Sequence, residues 1–132
     1  MHVAICGPCS PAGLRDVLFP EERLRAERFP GFGGIGVQQL ARSLVRAGHR
    51  VTVVTTAAND EFADSIFSGP LIQAIALPRR SAGAAIRDVY HVERQRLASA
   101  LRDARADLFH AHWTYEFELA AQDSGVPHVT TA

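Results

Sequence analysis

Lysine is absent from the 132 residues: all 14 basic side chains are arginine, and they balance 14 acidic ones to a formal net charge of zero. A chain without a net field lacks the overall attraction that draws a protein onto a nucleic-acid backbone or an anionic membrane, so a polyanion partner is not expected. The arginine bias itself reads as codon usage in a GC-rich genome, not as phosphate binding. No apolar run reaches the roughly 20 residues that a membrane span needs. Nor do the first residues show a basic stretch followed by a long apolar one. The expectation is a soluble, cytoplasmic protein with no transmembrane segment. Cysteine is scarce, and Cys6 and Cys9 alone make no secreted disulfide framework.

What is present is 47% hydrophobic content on a chain of one-domain length, enough to bury a single core. Residues 2–6 form a short apolar run closed by Gly7-Pro8, as expected of a strand buried on both faces of a parallel sheet. Residues 10–32, with prolines at 11, 20 and 30, read as a long loop with at most one helical turn. Val37, Leu40, Ala41, Leu44 and Val45 then recur at helical spacing over 34–47, with Gly48 as the stop. The β-branched run Val51-Thr52-Val53-Val54-Thr55 follows, so strand, helix and strand make a right-handed βαβ unit.

Further on, residues 71–77 predict a third strand. Residues 86–106 predict one long helix whose apolar face runs through Ile86, Val89, Tyr90, Leu97 and Leu101, interrupted by Glu93. A short fourth strand spans 107–110. Thr114 can cap a helix reaching Ser124, with Glu116 in its first turn and Gly125 at its end. A fifth strand spans 127–131. Strands and helices alternating in this way specify an α/β fold, a Rossmann-like doubly wound parallel sheet in three α/β/α layers. Ligands bind such sheets at the carboxyl ends of the strands.

Two segments fall at those ends. Gly31-Phe32-Gly33-Gly34-Ile35-Gly36 formally matches the dinucleotide fingerprint G-x-G-x-x-G. More than twenty residues separate it from the first strand, however, and no acidic residue closes the second, so NAD is set aside. What remains is a glycine-rich helix N-terminus, whose free N–H groups and positive dipole end suit a diphosphate; the same glycines also suit a tight turn. The second segment, His110-Ala111-His112-Trp113, puts both histidines on one side of the strand. A third and fourth ligand at zinc spacing are missing, so no metal site is expected. His112 and Trp113 can instead meet a sugar, the imidazole bonding a hydroxyl and the indole offering an apolar face, unless both are satisfied inside the fold.

Taken in order, three segments resemble the N-terminal domain of family 4-like glycosyltransferases of the GT-B fold. They are the first strand with Cys6-Gly7-Pro8; Gly33-Gly34-Ile35-Gly36-Val37 running into Ala47-Gly48-His49-Arg50-Val51; and Asp107-Leu108-Phe109-His110-Ala111-His112-Trp113 continuing to Gly125-Val126-Pro127. The resemblance implies transfer of a hexose from a nucleotide-diphosphate sugar to an acceptor with retention of configuration. It implies no cofactor, usually no metal, and a cleft between two Rossmann-like domains, of which this one mainly holds the acceptor. By the same resemblance Gly33 and Gly34 approach the donor diphosphate and the acceptor, and His112 and Trp113 line the acceptor side. His112 is the one candidate for a catalytic role.

This chain departs from the family in two places. Residues 10–32 exceed the family's minimal link, and a functional His that follows the last strand in many relatives would come directly after Ala132. The expectation is one acceptor-side domain over 1–132, folded but inactive alone. Its partners are a nucleotide sugar, a small-molecule, glycan or lipid-linked acceptor, and a separate C-terminal donor-binding domain. Two readings of other classes stand beside it. Cys6-Gly7-Pro8-Cys9 matches the C-x-x-C of thioredoxin-like thiol-disulfide oxidoreductases, although residues 10–13 make a poor helix to activate Cys6 and the motif starts too early in the chain. A non-catalytic binding domain derived from a transferase half is the other.

Overall fold

A computed structural model describes residues 1–58, 64–113 and 115–132. Its strands are β1 (His2–Cys6), β2 (Arg50–Thr56), β3 (Ser65–Ser68), β4 (Ile72–Leu77), β5 (Leu108–His112) and β6 (His128–Thr131). They form one sheet in the order β3-β4-β2-β1-β5-β6, parallel throughout except where β3 runs against β4. The helices are α1 (Pro20–Arg28), α2 (Ile35–Arg46), α3 (Ala82–Arg87), α4 (His91–Ala104) and α5 (Glu116–Ser124), with a 3₁₀ segment over Pro11–Val17. This is the Rossmann-like α/β fold that the alternation of elements predicts. Among the described residues no helix is long and apolar enough to cross a membrane.

Alternation along the central strands builds two cores, one on each face of the sheet. Val3, Ile5, Val51 and Val53 point to Val37 and Ala41 of α2. Ala4, Cys6 and Val54 point the other way, to Leu97 and Leu101 of α4 and Phe117 of α5. Because β1 is covered on both faces and paired on both edges, all five of its residues are buried. Its sequence is therefore a continuous apolar run and not an alternating one.

The expected loop over 10–32 is not a loop. Pro11 and Pro20 each sit in the first turn of a helical segment, where a fixed φ and a missing N–H cost nothing. Glu21 and Glu22 open α1, and Arg25 and Arg28 close it, matching the helix dipole. Prolines that read as loop punctuation are helix starts here. The segment packs on the sheet: Leu14 and Leu18 are buried, the Phe19 N–H donates to the Ser68 carbonyl at 3.0 Å, and Arg25 donates to the Ile66 carbonyl. It thereby satisfies part of the β3 edge, a four-residue antiparallel strand that no sequence pattern marked.

The single helix expected over 86–106 is two. The chain turns left-handed at Val89 (φ 54°) and Tyr90 (φ 59°) between α3 and α4. Ile86 and Val89 consequently face solvent, 60% and 56% exposed, and the buried stripe of α4 runs through Leu97, Ala98 and Leu101. Glu93, which interrupts the apolar pattern, is fully buried. Arg80 holds it by donating from its backbone N–H at 3.0 Å, from Nε at 2.9 Å and from Nη2 at 2.8 Å. β5 runs to His112, two residues past the expected end. The expected cap Thr114 lies outside the described residues, whereas Gly125 ends α5 in the left-handed conformation as read.

Candidate functional site

From β1 the chain moves to β2 and β4 on one side and returns to β5 and β6 on the other. β1 and β5 pair side by side, but the connections that leave their carboxyl ends lead to helices on opposite faces, α2 and α5. This is the topological switch point, where an open α/β sheet presents its ligand site. Gly7-Pro8, Gly33-Gly34 and His112 meet here. A Cβ on Gly34 (φ 88°) would lie 1.9 Å from the Pro8 carbonyl oxygen, and one on Gly7 would lie 3.0 Å from the His112 carbonyl oxygen. Gly34 admits no side chain because backbone passes against backbone there, while Gly7 is only tightly packed, against the His112 backbone and the Val37 side chain.

Gly34 is also the N-cap of α2, and its carbonyl accepts the first helical bond from the Gln38 N–H at 2.8 Å. The N–H groups of Ile35, Gly36 and Val37 thus have no partner within the helix, and the cap residue has no side chain to accept from them. Gln38 fastens the turn, donating from Nε2 to the Ser10 carbonyl at 3.2 Å and the Gly33 carbonyl at 3.3 Å. Gly33 (φ 59°) stands free by comparison, the nearest atom to a Cβ there being 3.9 Å away.

His110 and His112 lie on the same face of β5, as alternation requires, with ring centroids 6.0 Å apart and edge-to-face. His110 Nε2 meets Thr131 Oγ1 at 2.7 Å, and burial, assisted by the neighbouring His112, lowers its pKa. His110 is thereby committed to β6. His112 reaches across to α2, its Nε2 lying 3.3 Å from where a Cβ on Gly36 would be. The imidazole therefore stands over the first turn of α2, beside its unpaired N–H groups. Trp113 (φ 81°) gives its backbone N–H to the Thr131 carbonyl at 2.7 Å, and its side chain stays 45% exposed. Of the residues singled out in the sequence, Gly34 and His112 converge on the switch point, while Gly33 and Trp113 border it.

Four further residues at this edge carried little signal in the sequence. Arg79, in the loop after β4, places its Nη2 3.0 Å from Oε1 of the buried Glu116 and its guanidinium 4.9 Å from the Phe32 ring. Glu116 Oε1 has no aligned hydrogen bond, so the pair is a charge contact. It links the glycine-rich turn to the start of α5. Tyr90 and Tyr115 precede α4 and α5 with ring centroids 6.3 Å apart. Helical periodicity assigns Tyr90 to a buried stripe, and nothing in the local pattern marks Tyr115.

The cysteines do not form a redox pair. Cys6 packs in the core on the α4 and α5 side of the sheet and Cys9 in the core on the α2 side. Both are free and 1% exposed. Burial, reinforced by Glu116 and Glu118, pushes the Cys6 thiol far up, and burial pushes Cys9 up to about 12. A 3₁₀ segment whose N-cap is Ser10 follows them, but burial outweighs any help its dipole gives the thiols. Among the described residues no group of three or more His, Cys, Asp or Glu could hold a metal ion. A groove of about 800 Å³ lies away from the switch point, between α4 and the face of β2 and β4, lined by His2, Arg50, Gln73, Arg96 and Asp103. It includes the opening residues of β1 and β2, the end of a parallel sheet opposite to ligand sites.

The family model described as Glycosyltransferase Family 4 matches residues 33–132, opening on the glycine turn at the switch point and running through β6. No curated protein and no solved structure matches the chain.

Proposed function

Because the chain belongs to glycosyltransferase family 4, we propose that it is the acceptor-side domain of a two-domain GT-B enzyme that moves a hexose from a nucleotide-diphosphate sugar to an acceptor with retention of configuration. The observation that carries this reading is the meeting of the His112 imidazole with the uncapped first turn of α2 at the carboxyl edge of the sheet. A helix N-terminus stripped of side chains lets a diphosphate come close to backbone N–H groups and the positive end of the dipole. Gly34 makes that turn possible and Gly33 keeps its outer side open. His112 then stands where an acceptor hydroxyl and the departing diphosphate would meet, able to bond the hydroxyl and orient it. Trp113 supplies an exposed apolar face beside it.

In this reading a second domain binds the base and ribose of the donor, and the 132 residues alone do not turn over. The donor is a substrate, and the reaction needs no cofactor and no metal. The test is transfer from radiolabelled uridine- and guanosine-diphosphate hexoses, assayed with the product of the complete coding sequence and with the 132-residue chain. Transfer with retained anomeric configuration by the first, lost in His112→Ala, and none by the second is the expected result. Turnover by the 132-residue chain, or inversion by the complete product, would overturn the reading.

A further inference from the structure

We propose that Tyr90 and Tyr115 form an aromatic platform that stacks on the apolar face of a sugar or cyclic-polyol ring in the acceptor, and so help determine which acceptor is taken. The proposal rests on the acceptor-side reading above. Each tyrosine is the N-cap of a helix, α4 or α5, and neither makes a side-chain capping bond. Ser, Thr, Asp or Asn would cap there. Each also holds a positive φ, 59° at Tyr90 and 58° at Tyr115, and ψ −129° at Tyr115 places it in a region that belongs almost entirely to glycine.

Val89 and Trp113 share the left-handed sign, so four of the five such non-glycine residues among those described lie on the approaches to these two helices. The fifth, Arg105, is the C-cap of α4, an ordinary place for it. Both local rules, capping and backbone sign, would be better served by Asn or Gly at 90 and 115. Burial does not explain the choice, for Tyr115 is 62% exposed. Strain retained at an exposed Tyr115 and a half-buried Tyr90 beside a binding edge points to what the rings do there.

The two rings stand 6.3 Å apart, tilted by 46°. In a parallel α/β sheet the helices run back against the strands, so the starts of α4 and α5 lie at the same edge as His112. The chemistry favours a neutral hydroxylated ring over an anion. The phenols offer π-faces to axial C–H groups and hydroxyls to the rim. The nearby Arg79 charge is already engaged by Glu116, the residue after Tyr115.

The experiment titrates the ¹⁵N-labelled chain with methyl α-glucopyranoside, methyl α-mannopyranoside and myo-inositol, following Tyr90, Tyr115 and His112 resonances, alongside thermal unfolding. Tyr115→Gly and Tyr90→Gly should leave Tm unchanged or higher, because they relieve a positive φ, and should weaken binding of the best ring probe roughly tenfold. Tyr115→Phe should keep most of the affinity. If ring binding still shifts His112 with unchanged affinity in the glycine variants, the platform is overturned while the acceptor-side reading stands. A clear drop in Tm or loss of folding in both glycine variants would make the tyrosines structural and overturn it too. Absence of any shift at His112 or the tyrosines in the parent chain would overturn the platform and the acceptor-side reading together.

Discussion

The carbonyl oxygen of Pro8 occupies the place of a Gly34 side chain, only 1.9 Å from an ideal β-carbon there. Backbone cannot yield as a flexible side chain can, so Gly34→Ala must move the turn or the β1 exit. We expect it to destabilise the domain by roughly 3 kcal/mol. Gly33→Ala meets nothing closer than 3.9 Å and bears only the positive-φ cost, about 1 kcal/mol. Urea unfolding of the two variants checks the difference, and equal effects would contradict the packing described at the switch point.

At Gly36 the same reasoning gives a functional effect in place of a structural one. Its nearest obstruction is the His112 imidazole, at 3.3 Å, a side chain that can turn away. Gly36→Ala should therefore fold with near-parent stability, helix propensity offsetting part of the crowding. It should displace the His112 ring, seen as shifted imidazole resonances, and lower sugar transfer in the assay proposed above. Unchanged His112 resonances would show that the ring does not stand over α2.

How much of this could be read from the residues depended on whether local and tertiary preferences agreed. They agree in β1, α2 and β2, where burial on both faces writes continuous apolar runs and α2 turns one stripe to the core. They conflict between α3 and α4, where Val89 and Tyr90 carry a helical pattern through a left-handed break. The 10–32 segment was obscured differently: α1 buries only Ala26 fully, so it shows no stripe, and its prolines look like breakers. His112 was legible by its strand-end position. Arg79, Tyr90 and Tyr115 were not, because their partners Glu116, Phe32 and one another are brought close only by the crossover connections.

Placement of the two thiols in separate cores predicts chemical silence. Native protein should react with a thiol reagent such as dithionitrobenzoate at a rate governed by opening of the fold, and both thiols should react at once in denaturant. Insulin reduction should stay at the uncatalysed rate. Rapid reaction of one native thiol, with loss of insulin reduction in Cys6→Ser, would contradict the burial of Cys6 and Cys9.

Acid stability should turn on Arg80 and Glu93. Burial alone would raise the Glu93 pKa, but the hydrogen bonds from the Arg80 side chain and backbone outweigh it and hold the carboxyl below its ordinary value. Asp88, bonded to the same guanidinium, is lowered as well. A carboxylate with a depressed folded pKa stabilises the fold above its unfolded value, near 4.3 for Glu. That contribution is lost as pH falls through the folded value. The parent chain should therefore hold its Tm down to about pH 5 and lose it below that. In Arg80→Ala burial acts on Glu93 without the opposing side-chain bonds, its pKa rises, and the loss should begin nearer neutrality. Glu93→Gln, with no proton to take up, should lower Tm at pH 7 and flatten its fall with acid. Tm measured from pH 3 to 8 for the three proteins decides it, and parallel acid limbs would remove Glu93 from the account.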